Sequence, residues 1–405
     1  MSGWSSLGRD TRVNALLGAG HFLSHFYGLC LPPLFIAWQQ TFGVSFAELG
    51  LTLAVMSGSS ALAQTPIGFL VDRYGARPFL VGGTLLMSVS IAAMGFATAF
   101  WQVVLLSLLS GIGNSVIHPA DYAILSGSVD RARIGRSFAF HTFVGHVGFA
   151  VAPPVTAGLM LLLGWRATLI LVGLAGLPVV AMILLQSRIL IDQRRQRQSR
   201  PHAIGSGAGL LLSRPILLFF GFFMVSAMAT AGIQSWLITV LHQAHGMALE
   251  TASTALTGYM VGMMGGVLLG GWVADRSDRL LGFTVLLTIA GAILLLFVGM
   301  IAKADLPTIA VMLLGGVMIG ASRTPRDIMV KDAAPSGEIG KAFGFVSAGL
   351  SLGSAVMPVP YGMLIDAGRP DLVLVVVAGL LLASLGFVGG ARAGSRRDVV
   401  AVAAD

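Results

Sequence analysis

The sequence predicts an all-α membrane protein, with twelve transmembrane helices in two pseudo-symmetric six-helix bundles. Three observations carry that prediction. The chain of 405 residues is 56% hydrophobic and only 10% charged, with a mean hydropathy of +0.87. That composition excludes a soluble domain. Apolar segments of about 20 residues, enough to cross the hydrocarbon core, recur along the whole chain. A short motif that closes one such segment, Gly68-Phe69-Leu70-Val71-Asp72-Arg73-Tyr74-Gly75-Ala76-Arg77, returns 203 residues later as Gly271-Trp272-Val273-Ala274-Asp275-Arg276-Ser277-Asp278-Arg279. Two copies of one unit in a membrane chain point to a transporter that rocks one half against the other.

Spans are expected at 14–38, 47–70, 79–98, 101–126, 137–163, 166–187, 214–241, 249–273, 280–301, 306–326, 338–365 and 371–391. Residues 1–187 then form the first bundle, 188–213 a cytoplasmic linker and 214–405 the second bundle. The start is polar through Asn14, with Arg9 and Arg12. The apolar run after it is too long for a signal-peptide core and lacks a clear cleavage site, so it reads as a retained first span. Span 2 ends on the first motif. Span 4 carries His118-Pro119-Ala120-Asp121 near its inner end, and Ile134-Gly135-Arg136-Ser137-Phe138-Ala139-Phe140 opens span 5. Arg194, Arg195, Arg197 and Arg200, then Pro201 and a Gly/Ser stretch, mark the linker. Span 8 sets Gly262, Gly266 and Gly270 at four-residue spacing, a stripe that lets helices approach closely. Span 10 carries Thr324-Pro325-Arg326-Asp327, and Ile339-Gly340-Lys341-Ala342-Phe343-Gly344-Phe345 opens span 11, at an offset of 205 from its counterpart. Three matched pairs at nearly one offset establish the duplication. Pro inside a span is tolerated where neighbouring helices or a cavity satisfy the freed carbonyl.

The net charge of +8 does not indicate nucleic acid. With the N-terminus inside, all but Arg166, Lys303 and Arg369 of the 25 Lys and Arg fall on the inner side. This is the positive-inside pattern, and it sets both termini in the cytoplasm. The expected setting is a bacterial-type inner membrane, with the lipid bilayer as the surrounding medium. Cys30 is the only cysteine, which rules out an internal disulfide and a cysteine-rich metal site.

The chain resembles the major facilitator superfamily. The family pattern G-x-x-x-D-R-x-G-x-R between spans 2 and 3 is matched in full by Gly68, Asp72, Arg73, Gly75 and Arg77. The second copy keeps Gly271, Asp275 and Arg276, then departs: Asp278 stands where a Gly would fall, and Arg279 comes one residue early. The resemblance implies that Asp72 faces the start of span 11 near Gly340 and Lys341. Asp275 would face the start of span 5 near Gly135 and Arg136. These contacts would latch an inner gate, since a carboxylate is favoured at a helix N-terminus. The plainer alternative is that Asp72 and its arginines anchor a tight turn. The span-4 arginine of drug–proton antiporters is missing, with Ser107 in its place. Their Gly-Pro run in span 5 is only approximated by Gly148 through Ala152-Pro153-Pro154. The His-rich first span and His118-Pro119 are also similar to the fosmidomycin-resistance branch.

Ionisable groups inside a span are costly and mark function. His21 and His25 share a face of span 1, one turn apart. His118 and Asp121 lie in span 4, His141 and His146 in span 5, and Arg323, Arg326 and Asp327 in span 10. Spans 1, 4, 7 and 10 line the central path in the family. Three readings stay open for this set. The histidines and Asp121 carry protons while Arg323 draws an anion; or the histidines and Asp121 hold a metal or metal complex, although no tight ligand motif is present; or the groups serve packing. Asn114 in span 4 is a buried amide that must find partners. Phe22, Phe26, Tyr27, Gln234 and Trp236 are candidate substrate wall.

These features predict a secondary transporter for a small organic solute, an organic anion favoured. It is proton-coupled, works by alternating access and functions as a monomer. No cofactor or resident metal is expected. Export of an antimicrobial compound and transport of a metal or metal complex are the alternatives. No nucleotide-binding motif or catalytic-triad spacing supports an enzyme.

Overall fold

The computed structural model describes residues 8–130, 133–192, 213–274, 276–277, 279–301, 304–333 and 339–402. The chain divides into two compact units, Met1–Pro201 and His202–Asp405. Of the expected linker, residues 193–212 lie outside the described residues.

In the first unit α1 (Arg9–Leu29) runs through a 3-10 turn at Pro32–Leu34 into α2 (Phe35–Phe42). Then come α3 (Phe46–Tyr74), α4 (Ala76–Met94), α5 (Phe100–Asn114), α6 (Ile117–Ser128), α7 (Ile134–Leu174) and α8 (Gly176–Leu185). In lipid every backbone group must be satisfied within its own helix, so the apolar runs fold as helices. Local signals set their ends. Ser45 and Glu48 form a capping box at the start of α3: the Ser45 amide donates to Glu48 Oε2 at 2.8 Å, and the Glu48 amide donates to Ser45 Oγ at 3.2 Å. Gly75 stops α3 with φ +96°, a conformation that side chains with a Cβ resist. This is one physical reason for that glycine in the motif. Gly164, with φ +74°, breaks α7 between spans 5 and 6. A turn at Ser115–Val116 splits span 4 directly before His118.

α1 packs on α7, α3 on α5, and α4 on both α5 and α7. Glycines let these helices approach closely. A Cβ on Gly83 would stand 2.7 Å from the carbonyl oxygen of Gly113, and one on Gly113 the same distance from that of Gly83.

The second unit contains α9 (Arg214–His245), α10 (Leu249–Ala274), α11 (Leu280–Met300), α12 (Asp305–Ala333), α13 (Ile339–Val356), α14 (Pro358–Asp366) and α15 (Asp371–Val402). α9 packs on α13 and α15, α10 on α12, and α11 on α12 and α15. The α10–α12 seam is built from the expected stripe. Gly262, Gly266 and Gly270 meet the backbone at Leu313, Val317 and Ala321, while Gly316 and Gly320 meet Tyr259 and Met263.

These contacts repeat between the units. Gly111 on α5 abuts the Met56 carbonyl of α3, and Gly316 on α12 abuts the Tyr259 carbonyl of α10. Gly148 on α7 abuts the Phe22 carbonyl of α1, and Gly353 on α13 abuts the Met224 carbonyl of α9. The duplication seen in the motifs is therefore also a duplication of backbone seams.

Among the described residues, ten segments are long and apolar enough to cross a membrane. One of them, Arg136–Leu185, is 50 residues long and contains the Gly164 break.

The end of the first unit straps onto its own helix termini. The Ala76 amide donates to Asp192 Oδ2 at 2.6 Å, and Arg77 Nε donates to the Leu190 carbonyl. Ser128 Oγ donates to the Ile191 carbonyl at 2.8 Å and accepts from the Ile191 amide at 2.6 Å. The Gly75–Arg77 end of the first motif thus holds the segment that leads out of the unit.

Candidate functional site

Four of the predicted histidines and Asp121 come together inside the first unit. α1 presents His21 and His25 from adjacent turns, with ring centroids 4.4 Å apart. α6, which begins at Ile117, carries His118 and Asp121. α7 carries His141, whose ring stacks on His21 at 3.9 Å with 12° between the planes. The His118 ring stands 5.2 Å from that of His21. His141 Nε2 lies 3.5 Å from Asp121 Oδ2, and both side chains are buried. His21 Nδ1 faces the His141 carbonyl at 2.9 Å, which sets it as the donor and leaves Nε2 as the acceptor. His146 stands at the margin: its ring is 6.1 Å from His25, and its Nδ1 faces the Thr142 carbonyl at 2.8 Å. Tyr122 and Phe149, not singled out in the sequence, complete the lining, with Phe149 only 4.0 Å from His25. No spacing rule joins these residues, because they come from three helices.

The second unit holds a separate cationic site on α12. Asp327, which four-residue spacing sets on the face of Arg323, interacts with that charge. It also accepts hydrogen bonds from Arg326, through Nε at 2.9 Å and through the guanidinium terminus at 2.8 Å. Arg326 also lies over the Phe223 ring at 3.9 Å. Arg323 lies within electrostatic reach of Tyr259 of α10 as well as of Arg326 and Asp327, and the buried Tyr259 hydroxyl has no hydrogen-bond partner among the described residues. Tyr259 was missed in the sequence. Its signal is a phenol in the middle of a span, which must find a polar partner.

The other candidates separate. Asn114 donates to Ser60 Oγ at 3.2 Å, tying α5 to α3. Tyr27 is buried, and its hydroxyl lies 3.2 Å from Ser88 Oγ and 3.3 Å from the carbonyls of Val172 and Gly173. Trp236 is buried and donates to the Pro358 carbonyl at 2.9 Å. Those two side chains are engaged within their own bundles. Phe22 and Phe26 pack on each other at 5.8 Å, and Gln234 is half-buried. In the motifs, Gly68 is half-buried, Asp72 and Arg73 are exposed, and Arg73 lies 5.2 Å from the Tyr74 ring. Gly271 lies on the α10 face toward Thr324, and Arg276 stands over Trp272 at 4.5 Å. Asp275 and the side chain of Lys341 lie outside the described residues, so the expected contacts with Gly340 and Lys341 and with Gly135 and Arg136 fall there too.

Comparison with known proteins decides what these two units are. A family model described as Major Facilitator Superfamily matches residues 17–304 and again 238–398. The chain belongs to the major facilitator superfamily. Among its superfamily relatives, a probable L-galactonate transporter of Escherichia coli is 33% identical, over 34% of this chain and 31% of that protein. An uncharacterized MFS-type transporter of Mycobacterium tuberculosis is 28% identical over 85% and 84% of the two chains. A fosmidomycin resistance protein of Escherichia coli is 24% identical over 65% and 66%. The solved structure of a bacterial homolog to the human lysosomal transporter Spinster superposes with a TM-score of 0.78 at 16% identity, over 96% of this chain and 97% of that one. That likeness shares the superfamily fold. The expected family and its multi-pass membrane character are thereby met.

Proposed function

We propose that this superfamily member is a secondary active transporter that moves a small organic anion across the inner membrane by alternating access, coupled to protons. The observation that carries the anion is Arg323. It is a guanidinium within a span, beside the unpartnered Tyr259 hydroxyl, while the nearby carboxylate of Asp327 is bound by Arg326. A cation in that setting is costly unless something anionic joins it. The L-galactonate relative and a D-galactonate transporter, 24% identical over 60% of this chain, are named for sugar-acid substrates. Protons are supplied a route by Asp121, which is fully buried, with one or more of His118, His25 and His146.

The same reading has twelve spans. It counts the 50-residue segment twice across Gly164 and adds the stretch Arg9–Phe42 to the other candidate spans. Both termini are cytoplasmic, residues 188–213 link the units, the protein acts as a monomer, and Asp72 with Asp275 latch the gate. The test is uptake of radiolabelled galactonate and a panel of sugar acids, amines and neutral sugars into proteoliposomes bearing a pH gradient. Accumulation of a carboxylate that collapses with the gradient, and that Asp121→Asn reduces to exchange without concentration, supports the reading. Accumulation of amines or neutral sugars alone refutes the anion. Efflux of an antimicrobial compound is the second reading, favoured by the fosmidomycin resistance relative. Lower drug tolerance in cells deleted for the transporter, without any change in sugar-acid uptake, would select it.

A further inference from the structure

We propose that His21, His118 and His141 form a binding site for a divalent first-row transition metal ion of the zinc class, within the first unit and independent of the anion site on α12. Each ring offers one ligand nitrogen, and these three atoms lie within 4.8 Å of one another. Imidazole suits this class of ion, and three protein ligands with one open position is a familiar zinc arrangement.

The surroundings favour a cation held by neutral rings. His21 has its Nδ1 turned to the His141 carbonyl at 2.9 Å, and His141 turns Nε2 to Asp121 at 3.5 Å. A backbone carbonyl and a carboxylate behind ligating histidines are the usual outer partners that orient such rings. The ring neighbours of the cluster are Tyr122, Phe149 and the other histidines.

Buried atoms here lack partners. His21 Nε2, His118 Nδ1 and His141 Nδ1 are buried without a hydrogen bond among the described residues. Leaving one such group unsatisfied costs about 1–3 kcal/mol, so three ring nitrogens together call for an occupant.

Packing alone does not require these residues, as the duplicated unit demonstrates. The Gly148–Phe22 and Gly353–Met224 seams align His21 with Phe223, and the matched helix starts align His141 with Val346 and Gly145 with Leu350. In the second unit Phe223 and Val346 sit in an apolar core against which Leu350 packs. In the first unit the same frame carries imidazoles, and Gly145 makes room for one: a Cβ there would fall 2.7 Å from the His21 ring.

Metal–nitrogen bonds of 2.0–2.1 Å in a tetrahedral site set the nitrogens about 3.4 Å apart. Parallel stacked rings cannot aim in-plane lone pairs at one point. Loading therefore turns one ring of the His21–His141 stack, and the broad sp³–sp² torsion of histidine permits that.

The test uses the full-length protein, purified without a polyhistidine tag and stripped of metal, titrated with Co²⁺ and Zn²⁺. One ion per chain is expected, with tetrahedral-type Co²⁺ absorption and an imidazole first shell by X-ray absorption. His118→Ala and His141→Ala should weaken binding at least about 10-fold, and Asp121→Asn about 10–100-fold. His118→Cys should retain the ion with a new sulfur-to-cobalt charge-transfer band, which a role in folding would not produce. Equal Co²⁺ binding by wild type and a His118→Ala/His141→Ala double variant that elutes as a folded monomer would overturn the site. So would loss of binding on changing His242 and His245 instead.

Discussion

Gly316 offers the sharpest test of the second unit's frame. Replacing it with alanine adds a single methyl to the α10–α12 seam. That methyl would stand 2.9 Å from the Tyr259 carbonyl carbon and 3.0 Å from the Met263 amide nitrogen. Ordinary carbon contacts need about 3.5–4.0 Å, so the helices must part by roughly 0.5–1 Å at this point. Both neighbours are backbone and cannot swing aside. A gap of that size forfeits a quarter to a half of each contact well along the seam, including those at Gly262, Gly266 and Gly320. Overpacking of this kind costs about 1–3 kcal/mol. Gly315 is the matched control, since its methyl would meet only the Leu294 Cβ, at 3.9 Å, and would gain helix propensity. Thermal unfolding of the detergent-purified variants should set Gly316→Ala roughly 2–12 °C below wild type, with Gly315→Ala at or above it. Equal melting temperatures for the two variants would refute close backbone contact as what holds α10 to α12.

Three further outcomes follow from the same geometry. Because Asp327 is held by Arg326, neutralising Arg323 and Asp327 together should not restore uptake lost on changing Arg323 alone. Arg323→Lys should keep weak transport, since lysine retains charge but not the two-pronged hydrogen bonding, and full rescue by the double change would sink the anion site. Asp72→Asn should reduce transport while leaving insertion intact, with greater labelling of introduced cysteines from the cytoplasmic face; unchanged transport and labelling would remove the latch. Asp192→Ala deletes the acceptor for the Ala76 amide, worth about 1 kcal/mol, so hydrogen exchange at Ala76 should rise about fivefold, and no change would show that the strap is held elsewhere.

The frame was legible because its signals are local or periodic. Apolar runs give helices, and Gly75 marks a turn that needs positive φ. The stripe of Gly262, Gly266 and Gly270 marks a seam with α12, and the motif pairs mark the repeat. The site was legible only as residue types. His21, His118 and His141 are far apart in sequence, and their convergence depends on how α1, α6 and α7 pack. Even within one helix, spacing gave only part of the arrangement. Arg323 and Asp327 share a face and interact, but the hydrogen bonds to Asp327 come from its immediate neighbour Arg326, which lies over the Phe223 ring. The side chains of Tyr27 and Trp236 are typical of a substrate wall, yet hydrogen bonds to Ser88 and Pro358 tie them into the bundles, and these partners lie 61 and 122 residues away.

The strap at Ile189–Asp192 bears on where this protein can be cut in two. Superfamily members built from two compact units invite expression as separate half-chains. The end of α8 at Leu185 looks like the natural place to divide them. A half ending there would lose the acceptors for Ala76 and Arg77 and the partner of Ser128, exposing the start of α4 and the end of α6 at once. A half carried through Asp192 keeps its own lid on those termini. Co-expressed fragments divided after Asp192 should therefore assemble and insert, whereas fragments divided after Leu185 should be lost to proteolysis.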